Sequence, residues 1–128
     1  MKYIHKVGTA AGTFTPFLVG KEEVILTSVS LMSISPGDRL ELRLDVGWEK
    51  PIQWESGEIE LRIRKDAADG PVIYWKLETC IEKGYTMEKT ADTGVYPVQH
   101  YYLTACSCDS RAIISGPYSL QGSVYPLA

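Results

Sequence analysis

The side chains best equipped for chemistry are few: three cysteines (Cys80, Cys106 and Cys108), two histidines and a scatter of carboxylates. His5 and His100 stand far apart, and neither belongs to the His-x-His or His-Glu-x-x-His spacing that places two imidazoles on one metal. His100 falls in phase with Tyr102 and Thr104 on an extended stretch, the position of a satisfied or solvated strand histidine and not of a general base. Ser115-Gly116-Pro117 lacks the flanks of a nucleophile elbow, and no glycine-rich loop precedes a helix that could cradle phosphate. Glu58 and Glu60 share a strand face but alternate with apolar residues, as solvated carboxylates do; nothing selects a glycosidase pair. Lys65-Asp66-Ala67-Ala68-Asp69-Gly70 lacks the 1-3-5 spacing and closing glutamate of a calcium loop. Its Asp-Gly reads as a hairpin turn. The expectation is a protein that is not an enzyme and uses no metal or cofactor.

The cysteines carry more information. On an extended stretch through Cys106, the residues Tyr101, Leu103 and Ala105 form the apolar set, so Cys106 points away from the core. Cys108 follows beside the turn at Asp109-Ser110. Residues two apart on a strand have Cα atoms about 6.5 Å apart, near the limit of disulfide geometry. Outward thiols therefore suit an inter-chain disulfide through Cys106 and Cys108, or they are small surface residues in a reducing compartment. Cys80 reads as a buried small hydrophobe. A zinc site needs a fourth ligand that these three thiols lack.

Aromatic residues suggest surfaces. The chain has 8 tyrosines and 3 tryptophans against 2 phenylalanines. Trp48 and Trp54, in the connection Gly47 to Ser56, form a candidate ligand loop able to stack on a sugar. Tyrosines in the C-terminal strands suit subunit contacts, where an apolar ring with a polar edge is favoured.

Stepping along the chain, the dominant period is two. Leu40, Leu42, Leu44 and Val46 alternate with Arg39, Glu41, Arg43 and Asp45; Ile59, Leu61 and Ile63 alternate with Glu58, Glu60, Arg62 and Arg64. These are half-buried strands. Further strands are expected at Lys2 to Val7, Val24 to Ile34, Val72 to Thr79 (with Ile73, Trp75 and Leu77 inward), Val98 to Cys106, Arg111 to Ser115 and Tyr118 to Tyr125. Gly116-Pro117 separates the last two, and Ser35-Pro36-Gly37-Asp38 is a strong turn signal. Ile81 to Pro97 reads as a long connection. No segment carries a helical stripe. The chain is thus expected to be all-β, a sandwich or barrel of antiparallel strands.

Length and charge bound the rest. At 128 residues, one domain spanning residues 1–128 can bury a sizeable core without disulfides. The net charge of −3, with signs interspersed, excludes the clustered positive face that nucleic acid or an anionic membrane requires. No N-terminal signal peptide is recognised, and the most apolar stretch, Val24 to Ile34, is too interrupted to span a bilayer. The expected localisation is synthesis in the cytoplasm, or a surface reached by a route without a cleaved signal.

The turn Ser35-Pro36-Gly37-Asp38 followed by Leu40-x-Leu42-x-Leu44-x-Val46 resembles the tumour-necrosis-factor-like and complement-globular-head-like jelly rolls. The run Tyr101-Tyr102-Leu103-Thr104-Ala105, and then Ala112 through Val124, is similar to the end of such domains in bacterial spore-surface proteins, where a final strand closes the inner sheet. The sequence holds no Gly-X-Y repeat, so no collagen stalk is expected. The resemblance implies a jelly-roll β-sandwich of about eight to ten strands that is non-enzymatic, homotrimeric and surface-displayed. The partner is then a second copy of the chain, with other surface-layer proteins or glycans besides. The subunit interface, or the sheet centre beside it, is expected from Tyr101, Tyr118, Leu120, Val124 and Tyr125. The alternative is a carbohydrate-binding module using Trp48, Trp54 and loop tyrosines.

Overall fold

Two alternating segments organise the molecule. In the computed structural model, which describes residues 1–127, Leu40, Leu42, Leu44 and Val46 project from β4 (Arg39–Glu49) into the interior; Ile59, Leu61 and Ile63 project toward them from β5 (Gly57–Lys65). All are essentially inaccessible to water. Around this pair are β1 (Tyr3–Thr9), β2 (Phe17–Val19), β3 (Val24–Leu31), β6 (Val72–Cys80), β7 (Lys83–Thr93), β8 (Gln99–Cys106) and β9 (Ala112–Tyr125). There is no helix among the described residues.

The strands form two antiparallel sheets. One runs β1-β9-β4-β7, with the short β2 also paired to β9; the other runs β3-β8-β5-β6. Sequence neighbours repeatedly cross from one sheet to the other, which makes the sandwich a jelly roll. Its core is filled from both sides, by Leu40, Leu42, Leu44, Leu120 and Val124 from the first sheet and Leu31, Ile59, Leu61, Tyr101 and Leu103 from the second.

Local chemistry sets the corners. In Ser35-Pro36-Gly37-Asp38 the Asp38 amide donates to the Ser35 carbonyl at 3.0 Å, and Gly37 adopts φ = 89°. Proline at the second position and a glycine at positive φ in the third make this a type II turn. Asp38 then caps the Ser35 amide at 2.8 Å and pairs with Lys2 at 2.6 Å.

Three expectations change, and a fourth feature follows from the topology. Arg111 to Ser115 and Tyr118 to Tyr125 are one strand, β9: Gly116 and Pro117 form a bulge where the β4 register shifts between Val46 and Trp48. Gly47 is obligatory there, because a Cβ would lie 2.3 Å from the Gly116 carbonyl oxygen. The expected connection Ile81 to Pro97 contains β7, whose inward positions are Gly84, Thr86, Glu88, Thr90 and Asp92 and so carry no apolar signal. Trp75 and Leu77 face solvent, at 52% and 43% exposure. A register shift between Ile63 and Arg64 pairs Trp75 with Arg62 and Leu77 with Glu60, on the outside of the sheet. Finally, β9 is uncharged because it is central, flanked by β1 and β4. It is not an exposed edge in need of a partner.

Candidate functional site

Each sheet turns one face outward, and each face carries a polar cluster. On the four-stranded sheet the cluster begins with Glu23, just before β3. Arg64 grips it with two parallel hydrogen bonds, Nε to Oε2 at 2.6 Å and Nη2 to Oε1 at 2.8 Å, and Thr104 Oγ1 donates to Oε2 at 2.6 Å. The fork matches guanidinium to carboxylate and adds energy and orientation together. Arg64 hydrogen bonding, helped by Thr104 and Arg62 against the cost of burial, brings the Glu23 carboxyl down to about 2.

Arg62 extends the network along β5. Its Nη2 donates to Glu60 Oε1 at 3.2 Å, and its Nη1 donates to Cys106 Sγ at 3.1 Å. Glu60 also accepts from Trp75 Nε1 at 3.0 Å. Cys106 and Cys108 both donate to Glu60 Oε2, each at 3.6 Å. Burial disfavours the Glu60 charge, yet these donors outweigh it and hold its carboxyl below the usual range. The thiols move the other way. Burial raises Cys106, Arg62 opposing and Glu60 adding to the effect, while the hydrogen bond and charge of Glu60 raise Cys108. Both thiols therefore hold their protons more firmly than a free cysteine does, so each reacts through a small thiolate fraction.

The outward face of the five-stranded sheet carries a trough along β9. Its floor is small: Ser119 and Ser123 are buried although they point away from the core. At one end a cavity of about 430 Å³ is lined by Lys6, Arg43, Asp45, Tyr85, Tyr118 and Ser119, among others. Asp45 is 7% exposed there and accepts from Tyr85 and Ser119 hydroxyls at 3.4 Å. Arg43 Nε lies 3.3 Å from Asp45 Oδ2, an ion pair off the line of a hydrogen bond. A smaller notch of about 90 Å³ continues past Gln121 and Ser123 to Tyr125. The floor and walls can seat polar groups of a partner.

The expected site residues are dispersed. Trp48 is a core side chain at 1% exposure, its Nε1 donating to Thr86 Oγ1 at 3.3 Å, so it belongs to no ligand loop; β4 continues through Glu49, which carries the ring inside. Trp54 is half-buried with the Arg111 guanidinium 4.2 Å above its ring, already occupied as a stacking surface. Tyr101, Leu120 and Val124 are fully buried between the sheets. They sit at the sheet centre and are unavailable to a neighbouring subunit, since inward phase on β8 and β9 places them in the protomer's own core. Tyr101 donates to Asp92 at 2.7 Å and accepts from Gln99 at 2.8 Å. Tyr118 packs edge-on to Phe14, and Tyr125 is half-buried on the outward phase. Cys108 is exposed as expected, but Cys106 is buried under Arg62. Cys80 is half-buried.

Both histidines reach Ser30, which donates its amide to His5 Nδ1 at 3.2 Å and holds its hydroxyl 2.8 Å from His100 Nδ1. Sequence reasoning missed Glu23, which precedes β3 and carries no periodic signal, and Arg43, Asp45 and Tyr85, whose only signal was outward phase on strands, shared with many solvated charges. Among the described residues no group of three or more acidic, histidine or cysteine side chains is arranged to hold a metal, and no helix is long and apolar enough to cross a membrane. Compared with protein-family models and with curated proteins, the sequence matches none.

Proposed function

We propose that the protein is a non-catalytic jelly roll that associates with copies of itself, as a trimer, through the outward face of its five-stranded sheet. It would serve a structural or adhesive role on a bacterial surface such as a spore. The observation that carries this reading is the trough along β9, where the short, buried Ser119 and Ser123 lie either side of Gln121, flanked by Lys6 of β1 and by Glu41 and Arg43 of β4. A floor set below two walls gives a neighbouring subunit a shaped seat, which a flat charged sheet does not. The residues expected to make that contact are therefore the outward set Ser119, Gln121, Ser123 and Tyr125. The last strand at the centre of its sheet also agrees with the resemblance to tumour-necrosis-factor-like domains, in which a final strand closes the inner sheet.

Light scattering tests the proposal. The expected mass is three times 14.3 kDa, falling to one protomer in Gln121→Arg/Ser123→Arg without loss of the cooperative melt. A wild-type monomer at all concentrations, or a variant of unchanged assembly, would overturn it. A second reading rests on a separate observation: Tyr85, 56% exposed, stands beside the Lys6–Arg43–Asp45 cavity, an arrangement that suits a glycan with an acidic group. Glycan-array binding lost in Tyr85→Ala would support it, and silence across the array would remove it.

A further inference from the structure

We propose that Cys106 and Cys108 form a dithiol–disulfide couple within one chain. The arrangement follows from Ser107, which is buried at 1% exposure and points the opposite way. Its hydroxyl donates to the Glu58 carbonyl at 2.7 Å and accepts the Arg111 amide at 2.9 Å, pinning the inward side of the segment. The thiols on either side are thereby turned outward together, and both reach the same atom, Glu60 Oε2. Cys106 ends β8 and Cys108 opens the turn that the Ser110 amide closes on the Ser107 carbonyl at 3.0 Å; residues two apart have Cα atoms about 6.5 Å apart even on a fully extended strand, inside the range of roughly 4.4–6.8 Å found for disulfides. The sequence alone leaves bonding between chains level with plain surface thiols and ahead of an internal bond. Burial of Cys106 changes that, because a neighbouring molecule cannot reach a sulfur covered by Arg62, whereas Cys108 can.

The chemistry balances with a low-molecular-weight disulfide as oxidant. The Cys108 thiolate attacks glutathione disulfide, forming a mixed disulfide and releasing one glutathione thiolate. The Cys106 thiolate then attacks the Cys108 sulfur, forming the internal bond and releasing the second. Two protein thiols lose two electrons and two protons, and the departing glutathiones take them up. Exposed Cys108 is the entry point and shielded Cys106 the resolving thiol. The new bond removes both S–H donors from Glu60, leaving it to Arg62 and Trp75. Trp75 thus reports on the change.

The test uses the full chain in a Cys80→Ser background. After treatment with glutathione disulfide, the expected product is a species lighter by about 2 Da, with both thiols closed to alkylation and restored by reductant. Trp75 emission should shift with the same time course. Cys106→Ser should instead accumulate a stable glutathione adduct on Cys108, and Cys108→Ser should stay reduced. Three outcomes overturn the proposal: a persistent glutathione adduct in the parent, reductant-sensitive inter-chain dimers, or thiols that react only after unfolding.

Discussion

Glu23 lies outside any strand, yet the Arg64 fork and Thr104 hydroxyl fix it across β5 and β8. Its folded-state pKa of about 2 lies below its ordinary 4.5, so the folded state binds its proton less readily than the unfolded state. The resulting stabilisation is fully present above pH 4.5 and is lost as the pH falls toward 2. With its side chain 23% exposed, solvent screening reduces the effect to about 1–2 kcal/mol. Urea denaturation of Glu23→Gln should show that loss at pH 7 and a flatter profile between pH 4.5 and 2. An unchanged midpoint at neutral pH would mean that the fork adds nothing net. No residue near Glu23 in sequence announces this role: its partners lie 41 and 81 positions away. Long-range polar pairing is invisible to period and composition, which is why the fold was more legible than the site.

Strand phase was readable wherever one face is dry and the other wet. On β4 and β5 every second residue meets the core, and the alternation states it directly. On β6 the rule inverts. This strand is the edge of its sheet, as β7 is of the other, and its inward positions Lys76 and Glu78 form a polar seam with Glu88 of β7. Lys76 pairs with Glu88 and lies 3.3 Å from Glu78, so its ammonium is held more firmly protonated by Glu88 first and Glu78 next. Apolar Trp75 and Leu77 misled the sequence reading because amphipathic pattern alone has no sign: it tells that two faces differ, not which is inside. Inward charges on an edge also discourage another chain from adding a strand. Lys76→Val/Glu78→Val should therefore keep the fold and lower solubility, read as growth in scattered light over hours. A variant as soluble as the parent would show that the seam guards nothing.

For the whole molecule, stability rests on one core shared by both sheets. Leu42 is fully buried at its centre, so Leu42→Ala should cost about 2–5 kcal/mol through lost burial and the cavity left behind. Chemical denaturation measures it, and a cost under about 1 kcal/mol would mean that the core collapses around the gap. Gly122 illustrates the same packing from the opposite side: a Cβ there would lie 2.4 Å from Leu31 Cδ2, so that leucine occupies the space the missing side chain leaves. The central place of β9 reaches beyond the finished fold. A ribosome delivers the nine strands in order, so β1 and β4 emerge with no neighbour between them and wait for the strand made last. Until it arrives, their apolar faces and bare amides are open to other nascent chains. Folding must therefore wait until β9 has emerged, and chaperone supply should govern the yield of this protein more than that of one built from consecutive hairpins.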